Sequence, residues 1–156
     1  MIRWLAALTL IAACPATMGA EERRWGLAIW GLSYHVDRSV DYNEDNLGLG
    51  VRYYLKPDRW FVEVDALRNS HRGLVLPASL GLEFGHAPVL RCELSGVVAL
   101  TAAYYQYPDT DSSVIKYGPV PGVLIGCGRV RTNVSVILRK SSEPLAAISA
   151  SWTIMF

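Results

Sequence analysis

Along most of this chain apolar and polar positions alternate with a period of two, as expected of strands whose two faces meet different surroundings. The last segment shows it most plainly. Ile148, Ala150, Trp152, Ile154 and Phe156 make one row, and Ser149, Ser151, Thr153 and Met155 make the other. Eight such stretches are predicted, over about 25–36, 47–55, 60–68, 73–84, 89–105, 117–127, 130–139 and 145–156. Between them, 56–59, 85–88 and 128–129 read as tight turns and 37–46 and 106–116 as long polar loops, with 69–72 and 140–144 shorter. Tight turns at one end, longer loops at the other and a terminal Phe predict an all-β fold. The expected architecture is an eight-stranded antiparallel up-and-down transmembrane β-barrel of the outer-membrane kind. Eight strands leave an interior just wide enough for side chains to fill. No helix, repeat or linker stands out.

Sorting the alternation assigns faces. The outward rows are expected to be Ala28/Trp30/Leu32/Tyr34, Leu47/Leu49/Val51/Tyr53/Leu55, Leu74/Leu76/Ala78/Leu80/Leu82, Leu90/Leu94/Val98/Leu100 and Val130/Thr132/Val134/Val136/Leu138. Such an aliphatic skin is hard to reconcile with a barrel bathed in water. Trp25, Trp60, Phe84 and Trp152 fall near strand ends, where interfacial aromatics belong. The inward charges Arg52, Glu63, Asp65, Glu83, Arg91, Glu93 and Arg131 all map to the half of the barrel with tight turns. Buried charges need partners, so a salt-bridged plug is expected there. The other half should present Ile29, Gly31, Gly48, Gly50, Val75, Pro77, Val97, Ala99, Thr101, Val123 and Ala147 inward. Within that set Ile29, Gly31, Gly48, Gly50, Val97, Ala99 and Val123 are the candidate acyl-chain-binding residues. The alternatives at this point are a narrow chamber above a charged floor and a core filled solid by side chains.

The chain has 156 residues, 51% of them hydrophobic, and a formal net charge of +1. That length fits one domain. The charge balance gives no basic face for nucleic acid. After the N-terminus no apolar run reaches the roughly 18 residues of a membrane helix. Arg3, the apolar stretch Trp4 to Ala13 and the small residues up to Ala20 read as an export signal over 1–20, leaving 21–156 as the barrel. Cleavage after Ala20 is one reading. Ile11-Ala12-Ala13-Cys14 as a lipobox, with Cys14 lipidated, is the other. Export places Cys92 and Cys127 where a disulfide can form, but each is read as a small hydrophobe in its own strand. The histidines are scattered, no Cys/His spacing fits zinc, and no phosphate-cradling glycine loop occurs. No cofactor is expected, and the barrel is expected to be a monomer in the outer membrane of a Gram-negative bacterium.

Tyr34-His35-Val36-Asp37-Arg38, followed by Asp41-Tyr42-Asn43-Glu44 and the glycine-alternating Gly48-Leu49-Gly50, resembles the first hairpin of the lipid A palmitoyltransferase (PagP) family. Pro119-Val120-Pro121 resembles that family's proline-flanked strand, and the eight-strand layout is similar over nearly the whole region from 21 onward. The resemblance implies an outer-membrane acyltransferase that moves a palmitoyl chain from a phospholipid to lipid A, its partners being those membrane lipids. It also implies a His in the first outer loop and an Asp-Ser pair in the second. His35 matches the His and Ser70 the Ser. Asn69 stands where the family has Asp, and an amide cannot serve as a carboxylate. Two further departures are the start of the barrel almost directly after Glu21, with no room for a preceding amphipathic helix, and the lack of proline near the first two strands.

Apart from the resemblance, His35 and Ser70 fall at the same ends of nearby strands, and a hydroxyl becomes a nucleophile when a His takes its proton and a third group orients that His. Asp37 or Glu44 could supply that group, so His35, Ser70, Asn69 and Asp37 are the candidate catalytic residues. The competing reading is a polar cap in which His35, Asp37, Asn43 and Glu44 fix the first loop and 69–73 is a turn. Pro119 and Pro121 lack the N–H that a strand donates; they either open a slot in the barrel wall or sit harmlessly at a strand's start. A non-catalytic barrel of the same shape and a lipidated, water-soluble carrier of the lipocalin type are the two alternative functions.

Overall fold

The computed structural model is a closed barrel of eight antiparallel strands in chain order, each paired with its sequence neighbours and the last with the first. It describes residues 23–36, 39, 41–138 and 145–156. The export signal, Cys14, Asp37 and the 140–144 connection lie outside the described residues. The strands are β1 (Trp25–His35), β2 (Asp45–Lys56), β3 (Trp60–Arg68), β4 (Leu74–Val89), β5 (Cys92–Tyr107), β6 (Ser112–Cys127), β7 (Val130–Leu138) and β8 (Leu145–Met155). The end carrying His35 is called the upper rim below; the tight turns after β2, β4 and β6 mark the lower end.

Six strands take the face their pattern predicts, and two do not. In β1 the register shifts between Trp30 and Leu32, so Ala28 and Trp30 point inward below the bulge while Ser33 and His35 point inward above it. Ile29, expected inside, therefore faces out between Leu49 and Trp152. Gly31 sits at the bulge against the outward Trp152 ring. In β6 the run Val123-Leu124-Ile125 has no polar member to fix its phase; Leu124 is buried and Val123 is 45% exposed.

Two predicted connections also move. Gly85, at a φ of 66°, takes a bulge between Phe84 and Ala87 rather than a turn, so β4 runs on and reverses at Leu90-Arg91. Arg91 and Glu93 are thereby carried out of the barrel, and both are exposed. The stretch 106–116 is mostly ladder: Gln106 pairs with Ser113 and Tyr107 with Ser112 around a short 3-10 turn at Pro108–Thr110. The β5–β6 hairpin thus rises above the rim as a two-stranded ribbon.

The lower half is filled. Tyr54, Phe61, Val97, Leu124 and Met155 form one buried cluster. Through it runs a charged network in which Arg52 Nε donates to Glu63, and Glu83 accepts from Tyr54 and, at 3.1 Å, from Arg131. Arg131 also pairs with Asp58, and the Arg52 guanidinium lies 4.0 Å from the centre of the Phe61 ring. Pairing of this kind is what permits charge in an interior. Cys92 and Cys127, one residue below the Glu93–Gly126 pair on facing strands, are joined by a disulfide. The expectation of two free thiols fails because both cysteines end their strands in direct opposition, a relationship set by a turn placed later than predicted.

Candidate functional site

Above the plug the barrel is hollow. A cavity of about 150 Å³ opens there, against the 10–15 Å³ that one water requires. Its wall includes Val75, Pro77, Val97, Ala99, Thr101 and Ala147, as expected from sequence, and also Trp30, Leu67, Ala103 and Val120. Ile29, Gly31 and Val123 are not part of it. Gly48 and Gly50 face the right way but form a bare strip: Leu67 lies over the first and the Asp65 carboxylate over the second, where a Cβ would collide.

At the mouth of this cavity His35 Nε2 and Ser70 Oγ are 2.7 Å apart. His35 ends β1 and Ser70 follows β3, so β2 lies between them; they meet because the inward bulge phase of β1 and the 69–73 turn bring both over the same opening. Both side chains are half-buried and line the cavity. The hydroxyl can hand its proton to Nε2 when Nδ1 carries the imidazole hydrogen. Glu44 Oε1 accepts the His35 main-chain N–H at 3.2 Å, and Tyr42 stacks on the imidazole at 4.3 Å between centroids. Glu44 thus holds the backbone that carries His35.

Asn69 is 1% exposed and committed on both sides of its amide. Its Oδ1 accepts the N–H groups of His71 and Gly73, and its Nδ2 donates to the carbonyls of Gln106 and Leu74. It shapes the turn that presents Ser70, and two of its four bonds are donations that an Asp could not make. Asn43 closes the other side: its N–H donates to the Ser70 carbonyl at 2.9 Å. Sequence reasoning missed Asn46. The Ser33 hydroxyl donates to Asn46 Oδ1 at 3.1 Å, leaving the amide N–H groups for the same cavity that His35 and Ser70 line. A polar residue on a predicted strand edge is the signal that could have found it.

The wall has a seam. β6 and β7 pair from Gly122–Ser135 down to Cys127–Val130 and, among the described residues, no higher. Pro119 and Pro121 lie just above that limit, paired on their other side with Leu100 and Val98 of β5. Neither proline has an N–H for β7 to accept. Compared with known protein families and with curated proteins, the chain matches none.

Proposed function

We propose that the chain is an outer-membrane barrel that takes an acyl chain from a phospholipid into its upper cavity and passes it to lipid A. The observation that carries this reading is the His35–Ser70 hydrogen bond standing over a largely apolar cavity. The membrane setting is supported by the outer surface. Leu47, Leu49, Val64, Leu100 and Ile115 are each more than half exposed, and Trp25, Tyr53, Trp60, Phe84 and Phe156 ring the lower end. An apolar band edged by aromatics around a polar interior is the arrangement that lipid favours. With tight turns facing the periplasm, His35 and Ser70 lie at the outer rim.

In the first half-reaction Ser70 Oγ attacks the ester carbonyl carbon as its proton passes to His35 Nε2. The ester C–O bond then breaks, the imidazolium returns the proton to the leaving lysophospholipid oxygen, and an acyl-serine remains. In the second half-reaction a lipid A hydroxyl gives its proton to His35 and attacks that ester, and Ser70 Oγ recovers the proton as it leaves. Asn46 supplies an amide donor for the oxyanion formed in both halves. The β6–β7 seam gives an acyl chain a sideways route into the cavity. Mass spectrometry of lipid A and phospholipids from cells expressing the protein, beside Ser70→Ala, tests the reading. An acyl chain gained by lipid A and lost from phospholipid only with Ser70 intact supports it. Unchanged lipids with the protein folded in the membrane overturn it.

The second reading, a non-catalytic barrel, is favoured by the dense bonding of the 69–73 turn, which a purely structural cap would also show. Ser70→Ala leaves the function of such a barrel intact.

A further inference from the structure

The 69–73 turn carries two side chains to opposite sides of the barrel wall. Ser70 lines the cavity, while Arg72, in the left-handed region at a φ of 64°, lines a shallow open groove on the outer surface. Arg68, the last residue of β3, lines the same groove. Beside the two guanidinium groups the groove is aliphatic, from Leu47, Ala66 and Leu74, and Arg68 pairs with Leu74 across the β3–β4 ladder. The outward row of β3 thus runs Trp60, Val62, Val64, Ala66, Arg68: aromatic at the lower end, aliphatic between and cationic at the top. Neither cation is spent on the protein. Arg68 makes no hydrogen bond or ion pair among the described residues. Arg72 pairs with Asp41 at 3.3 Å, both side chains being exposed. A pair so open to solvent holds weakly, and Asp41 gives way to a better anion.

We infer that this groove docks lipid A, with acyl chains along Leu47, Ala66 and Leu74 and a phosphate monoester between Arg68 and Arg72. Cations at the edge of an apolar membrane wall are where anionic headgroups bind, and guanidinium forks match phosphate oxygens in pairs. Charge chooses among lipids. A phosphate monoester carries about −1.5 to −2 at neutral pH, which two guanidinium groups balance; the diester of a phospholipid carries one negative charge. Position suits the acceptor as well. Groove and cavity share Leu67 and are parted by the turn that bears Ser70, so a lipid held outside brings its sugar to the rim beside that hydroxyl. The β6–β7 seam lies across the barrel from β3, so a donor entering there does not compete with an acceptor docked here. The inference rests on the acyl-transfer reading and adds the place where the acceptor is held.

The test separates binding from turnover. Full-length Ser70→Ala protein in detergent micelles is titrated with bisphosphorylated lipid A, with the same lipid stripped of both phosphates and with phosphatidylglycerol, and retention is read by native mass spectrometry. Wild type is assayed for acyl transfer in parallel. Phosphorylated lipid A is expected to bind at least tenfold tighter than either other lipid. Adding Arg68→Gln and Arg72→Gln should bring the ratio near one, whereas Arg59→Gln with Arg91→Gln, which removes the same charge from the lower end, should leave it unchanged. Equal binding of the dephosphorylated lipid overturns the inference, since the wall then holds lipid by its chains alone. Phosphatidylglycerol bound as tightly as lipid A overturns it as well, and so does a preference that survives loss of both arginines. Phosphate-dependent binding without acyl transfer by wild type keeps the inference and removes the enzyme reading. Transfer without phosphate-dependent binding does the reverse.

Discussion

His35 and Ser70 are 35 residues apart in sequence and 2.7 Å apart in space, bridging two strands that do not pair with each other. No ladder hydrogen bond enforces that contact. It is held by the first loop leaning on the second, through Asn43 on the Ser70 carbonyl and Tyr42 on the imidazole. Removing the base should therefore be separable from unfolding the barrel. His35→Ala is expected to lower acyl transfer by about 10²–10⁴-fold, and Ser70→Ala to abolish it. Both should keep heat-modifiable migration in gel electrophoresis, the mark of an intact barrel.

Asn69 yields a prediction opposite to what the family resemblance suggests. Asn69→Asp introduces the residue that the palmitoyltransferase family in the resemblance has there, yet it replaces two amide donations with carboxylate oxygens facing the Gln106 and Leu74 carbonyls. An unsatisfied or mispaired buried polar group costs about 1–3 kcal/mol. The substitution should reduce lipid modification and raise amide hydrogen exchange over 69–74. Higher activity in Asn69→Asp would show that a carboxylate is wanted there.

Glu83 ties together Tyr54, Arg131 and, at 4.0 Å, Arg52. Glu83→Gln leaves the buried Arg52 and the half-buried Arg131 guanidinium groups short of charge, and breaking a buried pair on one side costs about 3–5 kcal/mol. Urea unfolding in lipid vesicles should show a loss of that size. Surface pairs such as Arg72 with Asp41 should be near neutral in the same assay.

The Cys92–Cys127 disulfide closes a span of 35 residues containing the whole β5–β6 hairpin. A loop of that length is worth about 3–4 kcal/mol on the chain-entropy estimate. A paired Cys92→Ser and Cys127→Ser variant, or reductant added to wild type, should lower the unfolding midpoint accordingly while leaving lipid modification intact. Loss of activity with unchanged stability would tie the lower end to the rim chemistry.

What sequence made legible follows from where alternation carries phase. β2 and β3 alternate charges or glycines with aliphatics, so each position announces its face, and the charges at Arg52, Glu63 and Asp65 fall inside as read. β1 offers Ala28, Ile29 and Trp30 in succession, apolar throughout, and then slips register by a bulge at Gly31, a glycine that reads as an ordinary inward position. β6 offers Val123, Leu124 and Ile125 with the same silence. Proline and glycine misled at 85–88, since Gly85 also serves a bulge, and polarity misled at 106–107 and 112–116, since a ribbon clear of the barrel can be polar on both faces. His35 and Ser70 were legible because each is a reactive side chain at a strand end. The place of Trp30 in the cavity wall was not, because it depends on the corrected phase of β1.

The plug has a consequence for permeation. Arg52, Glu83 and Arg131 interlock with the Tyr54 and Phe61 rings across the lower interior, beneath the cavity that His35 and Ser70 line. A barrel stoppered in this way offers ions no route from one side to the other. Inserted in a planar bilayer it should pass no current at any modest voltage, whereas Glu83→Ala paired with Arg52→Ala should give measurable conductance. On the acyl-chain reading the molecule is then a cup, loaded from above and blind at its base.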